Sequence, residues 1–173
     1  MSRQKTYYGV TVGILMVDST FRRFVGDIGN ALTWPFPVQY RVVRGATPAE
    51  MVSLEQADVL DRFKAASDEL IADGVDGIAT TCGFLALFQK DLARHCPVPV
   101  ATSALLQVPM VERLIPEGRR AGILTYSAEA MTPAHLGAVG VAPDTPIAGM
   151  ARDSEFYRWI MQGDPDVPFE VLQ

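Results

Sequence analysis

The sequence lacks several features that would place it in common classes of protein. Acidic residues outnumber basic ones, 20 to 15, which gives a net charge of −5. The basic residues form no clusters, so nucleic acid and anionic membranes are not expected partners. No apolar run reaches the roughly 18–20 residues that a membrane-spanning helix requires. Residues 1–5 lead directly into a β-like segment and lack the apolar region and cleavage site of a signal peptide.

Cysteine, histidine and phosphate-loop signals are also sparse. The two cysteines, Cys82 and Cys96, cannot form a disulfide framework, and cytosolic thiols normally stay reduced. His95 and His135 have no cysteine or carboxylate at ligand spacing, so no metal site is expected. The segment 26–30 lacks the glycine spacing and the Lys-Ser/Thr pair of a phosphate loop. We therefore expect a soluble, reduced, cytoplasmic protein.

The sequence does contain a regular alternation of strand-like and helical segments. Hydrophobic residues make up 49% of the chain, which is enough for a packed core. Runs rich in β-forming residues predict strands at residues 8–17, 38–44, 75–79, 97–101, 120–125 and 147–151. Apolar residues at helical spacing predict helices at about residues 54–73, 85–93, 108–114, 129–138, 156–160 and from 166 onward. Gly74 is expected to end the first of these helices. This alternation predicts a parallel α/β fold.

Residues 26–37 are dense in Gly, Asn and Pro, which predicts an ordered irregular loop rather than a helix. Two interpretations of this loop stay open. It is either a plain connector or a loop that closes over the carboxyl ends of the strands.

Cys82 follows the predicted strand 75–79 and precedes a helical pattern. Open α/β sheets bind ligands at such strand ends. Exposed backbone N–H groups and the helix dipole there favour anions, including thiolates. The pattern predicts a reactive thiol, and the alternative is a buried structural cysteine.

Short polar motifs follow four of the predicted strands. They are Asp18-Ser19-Thr20, Thr80-Thr81-Cys82, Thr102-Ser103 and Tyr126-Ser127. If the strands are parallel, these motifs gather at one sheet edge and offer neutral donors, a thiol and a carboxylate to a small carboxylate ligand. Each has a plainer interpretation. Asp18, Thr102 and Ser103 could cap turns or helices, and Tyr126 could be a surface aromatic.

The segment Thr80-Thr81-Cys82-Gly83 after a buried strand resembles the first cysteine motif of the aspartate/glutamate racemase superfamily. That group includes amino-acid and hydantoin racemases, maleate isomerases and arylmalonate decarboxylases, and the similarity is greatest to an uncharacterised racemase-like branch. Further stretches in the same order support the resemblance: residues 13–18, 26–30, 36–37, 100–103 and 122–127.

The resemblance implies Rossmann-like α/β lobes with parallel sheets and the active site between them. It places the first lobe at residues 1–104 and the second, incomplete lobe at residues 105–173. It also implies catalysis without a cofactor by two cysteines, one from each lobe, and it allows a homodimer. Two facing thiols suit inversion at a carbon α to a carboxylate, because one removes a proton while the other delivers one.

The resemblance also implies roles for particular residues. Cys82 would be one acid/base group, and Asp18 would orient or tune its thiol. The residues that would hold the substrate are Thr81, Gly83, Thr102, Ser103, Tyr126 and Ser127. The expected function is a cofactor-independent racemase or isomerase acting at the α-carbon of a small carboxylate or amino-acid derivative.

The sequence departs from the family because the partner cysteine belongs beyond Gln173. Cys96 precedes a strand and so lies at the opposite strand end from Cys82. Either the sequence is truncated, which the helix start from 166 favours, or the protein does not racemise. The alternatives are a decarboxylase or a maleate-type isomerase with a single cysteine, or a non-catalytic carboxylate-binding protein. No Arg or Lys lies in the motifs, which favours a hydantoin, a neutral amino acid or an aryl acid over Asp or Glu.

Overall fold

In the computed structural model, residues 8–53 and 58–163 are described. Six strands lie in this part of the chain: β1 (Val12–Val17), β2 (Val38–Val43), β3 (Gly77–Thr80), β4 (Val100–Ala101), β5 (Ile123–Thr125) and β6 (Ile147–Gly149). The α-helices are α1 (Pro48–Ser53), α2 (Val59–Ala72), α3 (Gln89–His95), α4 (Val108–Val111), α5 (Pro133–Ala138) and α6 (Glu155–Tyr157). Short 3₁₀ helices span Ala31–Thr33, Gly83–Phe88 and Ala104–Gln107, and a π-helix spans Arg158–Gln162.

The strands form two parallel sheets. The larger sheet has the order β2-β1-β3-β4 and the smaller one pairs β5 with β6. Parallel pairing requires crossovers, which the intervening helices and loops supply. Strand β1 pairs on both sides and is largely buried, as its continuous apolar run predicts. The predicted position of the second strand at the sheet edge is confirmed.

Helix α2 ends as the sequence predicts. Gly74 has a positive φ of 93°, and its N–H donates to the Ile71 carbonyl while the Val75 N–H donates to the Leu70 carbonyl. This pair of bonds is a Schellman motif, which favours glycine at its left-handed position. The motif turns the chain directly into β3, and β3 carries the polar motif that ends in Cys82.

Several predicted elements are shorter than expected because local caps fix their ends. Helix α5 was predicted from 129 but begins at Pro133, since Thr132 is its N-cap and Pro133 suits the first helical position. The helix predicted at 108–114 ends at Val111. The helix predicted after Cys82 begins as a 3₁₀ segment and becomes α-helical only at Gln89. The start of the predicted helix 54–73 and the helix predicted from 166 lie outside the described residues.

Candidate active site

A cavity of about 500 Å³ lies between the carboxyl ends of the two sheets. Its first wall comes from the chain just after β1 and β3, and its second wall comes from β5 and the residue after β6. Residues from the loop after β1 and from the last helical segments contribute further lining. The lining side chains are Val17, Phe21, Arg23, Phe24, Asp27, Pro48, Thr81, Cys82, Gly83, Phe84, Leu124, Thr125, Tyr126, Met150, Phe156, Trp159 and Ile160.

Cys82 lies at the end of β3 in extended conformation and is 6% exposed. Burial raises the pKa of its thiol to about 11, because a thiolate loses hydration in an apolar wall. The backbone N–H groups of Phe84 and Leu85, the Tyr126 hydroxyl and the charge of Arg23 act in the opposite direction and lower that pKa. The expectation that the strand end favours a thiolate is therefore corrected, since burial outweighs the local donors.

Tyr126 is the residue next to the smaller sheet that contacts the Cys82 thiol. It follows β5, and its hydroxyl lies within hydrogen-bonding reach of the Cys82 sulfur. Burial raises the pKa of Tyr126, and the neighbouring thiol raises it further. The Tyr126 ring packs against Phe84, with 5.2 Å between the ring centroids. The tyrosine is therefore a neutral donor toward the sulfur rather than an anion or a base.

Thr81 and Gly83 flank Cys82 in the cavity wall. The Val17 N–H donates to Thr81 Oγ1 at 3.1 Å, which ties the end of β3 to the end of β1. A hydroxyl that accepts one bond can still donate its own proton, so Thr81 can reach a ligand oxygen in the cavity. Gly83 begins the 3₁₀ segment, and a Cβ there would meet Ser103 Oγ at 3.6 Å, which is an ordinary contact.

Four predicted site residues lie outside the lining of this cavity. Asp18 accepts the Gly45 N–H at 2.9 Å. Thr102 is buried, with its hydroxyl 2.8 Å from Gln89 Oε1. Their side chains thus fix the turns after β2 and β4.

Ser103 and Ser127 are the other two predicted site residues that lie outside the lining of the main cavity. Ser103 accepts the Leu105 N–H at 3.1 Å as the cap of a 3₁₀ helix. Ser127 borders a smaller cavity of about 320 Å³ beside Tyr126. The structure therefore gathers Cys82, Thr81, Gly83 and Tyr126 at the main cavity and not the other four predicted residues.

An arginine in the cavity wall was missed by the sequence analysis. Arg23 has a side chain that is 10% exposed and donates to Asp27 Oδ1 at 2.9 Å and to Ser19 Oγ at 3.1 Å. The cavity wall thus holds a guanidinium from outside the strand-end motifs, so the lack of Arg and Lys in those motifs no longer argues against a ligand with a second carboxylate. The spacing of Arg23 and Asp27, four residues apart beside the glycine-rich loop, was the available signal.

The loop at 26–37 is ordered and contributes to the cavity. Asp27 Oδ1 also accepts the Gly29 N–H at 2.6 Å, and Asn30 Nδ2 donates to the Arg23 carbonyl at 2.8 Å. Asp27 itself lines the cavity. The structure therefore favours the interpretation of a loop that closes over the strand ends, and the loop also holds Arg23 in place.

Four aromatic rings form a further wall, which we call the aromatic cluster: Phe21, Phe24, Phe156 and Trp159. Trp159 is its centre, with ring-centroid distances of 5.1 Å to Phe21 and 5.5 Å to Phe24 and to Phe156. Two of these rings come from the loop after β1, and two come from the last described helical segments. Edge-on and tilted contacts of this kind stabilise the cover of the cavity.

The second cysteine lies elsewhere. Cys96 is the C-cap residue that follows α3, is buried and contacts the Ser67 hydroxyl. It is not part of the cavity lining. Across residues 8–53 and 58–163, no three His, Cys, Asp or Glu side chains cluster as metal ligands would.

Comparison with known proteins gives relatives by sequence and a neighbour by fold, while no family model matches. A dimethylsulfoniopropionate lyase of Emiliania huxleyi (strain CCMP1516) is 32% identical over 165 residues, covering 94% of this chain and 46% of the relative. A dimethylsulfoniopropionate lyase of Durusdinium sp. clade D is 28% identical over 127 residues, covering 72% and 42%. The chain therefore spans about half the length of the curated relatives it matches.

One structural neighbour is a glycine-to-cysteine variant of arylmalonate decarboxylase. It has a TM-score of 0.55 at 12% identity, over 85% of this chain and 65% of the neighbour. An aspartate racemase homologue from Pyrococcus horikoshii has a TM-score of 0.46 at 14% identity, over 87% and 69%. The first of these confirms the predicted parallel α/β fold.

In the described part of the chain, no helix combines the length and the apolar character needed to cross a bilayer. The cytoplasmic location, the lobe boundary at residue 104 and the homodimer stay predictions.

Proposed function

We propose that this chain is a lyase that cleaves a small zwitterion of the dimethylsulfoniopropionate type by β-elimination, with Cys82 as its base. The observation that carries the proposal is the cavity wall, in which Cys82 is the one thiol and Arg23 supplies a cation. The names of the curated relatives supply the substrate class. Activity of the whole protein is part of this proposal, because the relatives are about twice as long.

The first step is the same proton removal that the racemase resemblance implies. The Cys82 thiolate takes the proton from Cα, and the electron pair moves into the carboxylate as an enediolate. Developing charge on the carboxylate oxygens requires donors that are already in place. Arg23 and the Thr81 hydroxyl line the same cavity and are suited to that role.

The second step breaks the bond between Cβ and sulfur. The electron pair of the enediolate forms the Cα–Cβ double bond, and the electrons of the broken bond go to the sulfonium sulfur. Dimethyl sulfide leaves as a neutral molecule and acrylate remains, so atoms and charges balance with no oxidant or cofactor. The thiol returns its proton to water.

Elimination suits this site better than racemisation because it needs one proton-transfer group rather than two. A racemase has to deliver a proton to the face opposite the one it deprotonates. Cys96 cannot do so here, because it lies outside the cavity lining. The racemase alternative shares the Cα proton removal, so an experiment has to separate the two outcomes.

The decisive experiment is incubation of the chain with dimethylsulfoniopropionate in D₂O. Dimethyl sulfide is measured by gas chromatography, and deuterium at Cα of the remaining substrate is measured by NMR. We expect release of dimethyl sulfide that Cys82→Ala abolishes and Cys96→Ala leaves intact. In a parallel incubation with amino acids, deuterium exchange at their Cα, combined with no release of dimethyl sulfide from dimethylsulfoniopropionate, would support the racemase alternative. Release that survives Cys82→Ala would reject Cys82 as the base.

A further inference from the structure

We propose that the aromatic cluster is a binding site for an onium cation, so that the cavity selects zwitterions over carboxylates of the same shape. Trp159 would be the central ring of this subsite and Arg23 the carboxylate partner at the other end of the ligand. The inference rests on the proposed lyase for the placement of the carboxylate. Its test, however, measures binding and does not require turnover.

The position of the cluster supports this assignment. Its four rings all line the cavity that holds Cys82. Trp159 is 9% exposed and contacts the other three rings, so its own orientation is fixed. Faces of fixed, partly desolvated aromatic rings attract sulfonium and quaternary ammonium groups through the ring quadrupole, with tryptophan the strongest.

Cations already lie over two rings of the cluster. The guanidinium carbon of Arg23 is 4.5 Å from the centroid of Phe21, and that of Arg22 is 5.7 Å from the centroid of Phe24. Both distances lie within the range of a cation–π interaction, so the rings of the cluster attract positive charge. The same four rings line the cavity, so we expect them to attract a ligand cation there in the same way.

The charges in the wall fit a zwitterion. Among the described residues, Arg23 and Asp27 are the two charged side chains that line the cavity, and they form an ion pair, so their charges cancel. A ligand cation therefore meets no net positive charge, while a ligand carboxylate still finds the guanidinium donors. A simple cation lacks a partner for Arg23, and a simple carboxylate leaves the rings without a cation.

Binding of an onium group here has a consequence for Cys82. A positive charge in the same small cavity favours the thiolate over the thiol. The free chain keeps Cys82 protonated, and the ligand lowers the pKa of the thiol as it binds. The substrate then helps to generate its own base, which a neutral ligand of equal shape would not do.

The test compares dimethylsulfoniopropionate with isocaproate, in which a CH group replaces the sulfonium sulfur. Calorimetry with the Cys82→Ala chain prevents turnover of the first ligand. We expect dimethylsulfoniopropionate to bind about tenfold more tightly than isocaproate. Trp159→Leu should reduce that ratio to near one, and Trp159→Phe should leave an intermediate ratio. Tyr8→Leu, at an exposed aromatic residue outside the lining, should leave the ratio unchanged, and circular dichroism checks that each variant is folded.

A second measurement uses the chain with Cys82 intact and follows thiolate absorbance near 240 nm. Dimethylsulfonioacetate, which has no Cβ and cannot eliminate, should shift the titration of Cys82 to lower pH, and isovalerate should not. Equal affinities for the two ligands of the first test, or a ratio that survives Trp159→Leu, would overturn the onium subsite even if the lyase reaction occurs. Selective binding without any elimination would keep the subsite and reject the lyase.

Discussion

The two sheets of this protein differ in how completely they are covered. In the four-stranded sheet, β1 pairs on both sides and Leu15 is 0% exposed. In the two-stranded sheet, β5 pairs with β6 alone in the part of the chain that the structure describes, and Leu124 is 71% exposed. Parallel sheets usually have both faces covered, so the second sheet has the unusual surface.

The cavity takes one wall from each sheet, and the difference between the sheets divides the roles of its residues. The larger sheet, β2-β1-β3-β4, which we call the covered sheet, carries Thr81 and Cys82 just after β3. The Val17 N–H of the neighbouring strand β1 donates to Thr81 and holds this strand end. The smaller sheet, β5 and β6, which we call the bare sheet, carries Tyr126 just after β5. The Tyr126 hydroxyl lowers the pKa of the Cys82 thiol. We therefore expect proton removal to depend mainly on residues of the covered sheet, and the pKa of the thiol to depend in addition on Tyr126 from the bare sheet.

The largest expected effect is that of Cys82→Ala. Loss of the proposed base should lower the rate of dimethyl sulfide release by about a thousandfold or more, within the range of general-base catalysis. The matched control is Cys96→Ala, which removes the other thiol at a buried site outside the cavity. Initial rates measured at one pH compare the two variants. Equal losses would show that the effect comes from stability and not from chemistry.

The same substitution in each sheet tests the difference in packing directly. Leu15→Ala should lower the free energy of unfolding by about 2–5 kcal/mol, because it leaves a cavity in the core. Leu124→Ala should change it by less than about 0.5 kcal/mol, because the side chain is already in water. Urea unfolding measures both. A loss above about 1 kcal/mol at Leu124 would mean that another surface covers β5 in solution.

Arg23→Gln tests the cation that the loop after β1 adds to the covered sheet. Removing a charge-assisted contact to the substrate carboxylate should raise KM by about 10–100-fold, in line with about 1.5–3 kcal/mol for such a bond. Arg41→Gln is the matched control, since the Arg41 guanidinium is ion-paired with Glu69 and is not part of the lining. An unchanged KM in Arg23→Gln would place the carboxylate elsewhere in the cavity.

The sequence predicted the strands and the thiol because their signals are local. A continuous apolar run identified β1, and a strand followed by a polar motif identified Cys82. The capping hydroxyls of Thr102 and Ser103 could not be separated from ligand-binding ones, because both follow a strand end. The hydrogen-bond partner of the Thr102 hydroxyl is Gln89, and that of the Ser103 hydroxyl is the Leu105 N–H. These partners are set by the short helical turns near β4, which the sequence pattern does not specify.

Arg23 and the aromatic cluster escaped prediction because they depend on tertiary contacts. Phe21 and Trp159 are far apart in the sequence but lie 5.1 Å apart in space. The pKa of Cys82 was also misjudged for a tertiary reason. The strand-end position suggested a stabilised thiolate, whereas burial of the thiol in the folded chain decides the direction of the pKa shift.

The smallest predicted effect is that of Tyr126, and it is measured through the pH dependence of kcat/KM that Cys82 sets. A base with a pKa of about 11 is mostly protonated at neutral pH. The value of kcat/KM should therefore rise about tenfold per pH unit between pH 7 and pH 10.

Tyr126→Phe removes a donor that stabilises the thiolate, which raises the pKa of Cys82 further. At any pH below that pKa, kcat/KM should fall by about threefold to tenfold, the equivalent of one hydrogen bond. The slope of the pH profile should stay the same. Tyr8→Phe, at an exposed position, is the control. If Tyr126→Phe lowered kcat/KM but left the titration of the Cys82 thiol unchanged, Tyr126 would act by holding the substrate and not by changing the pKa of Cys82.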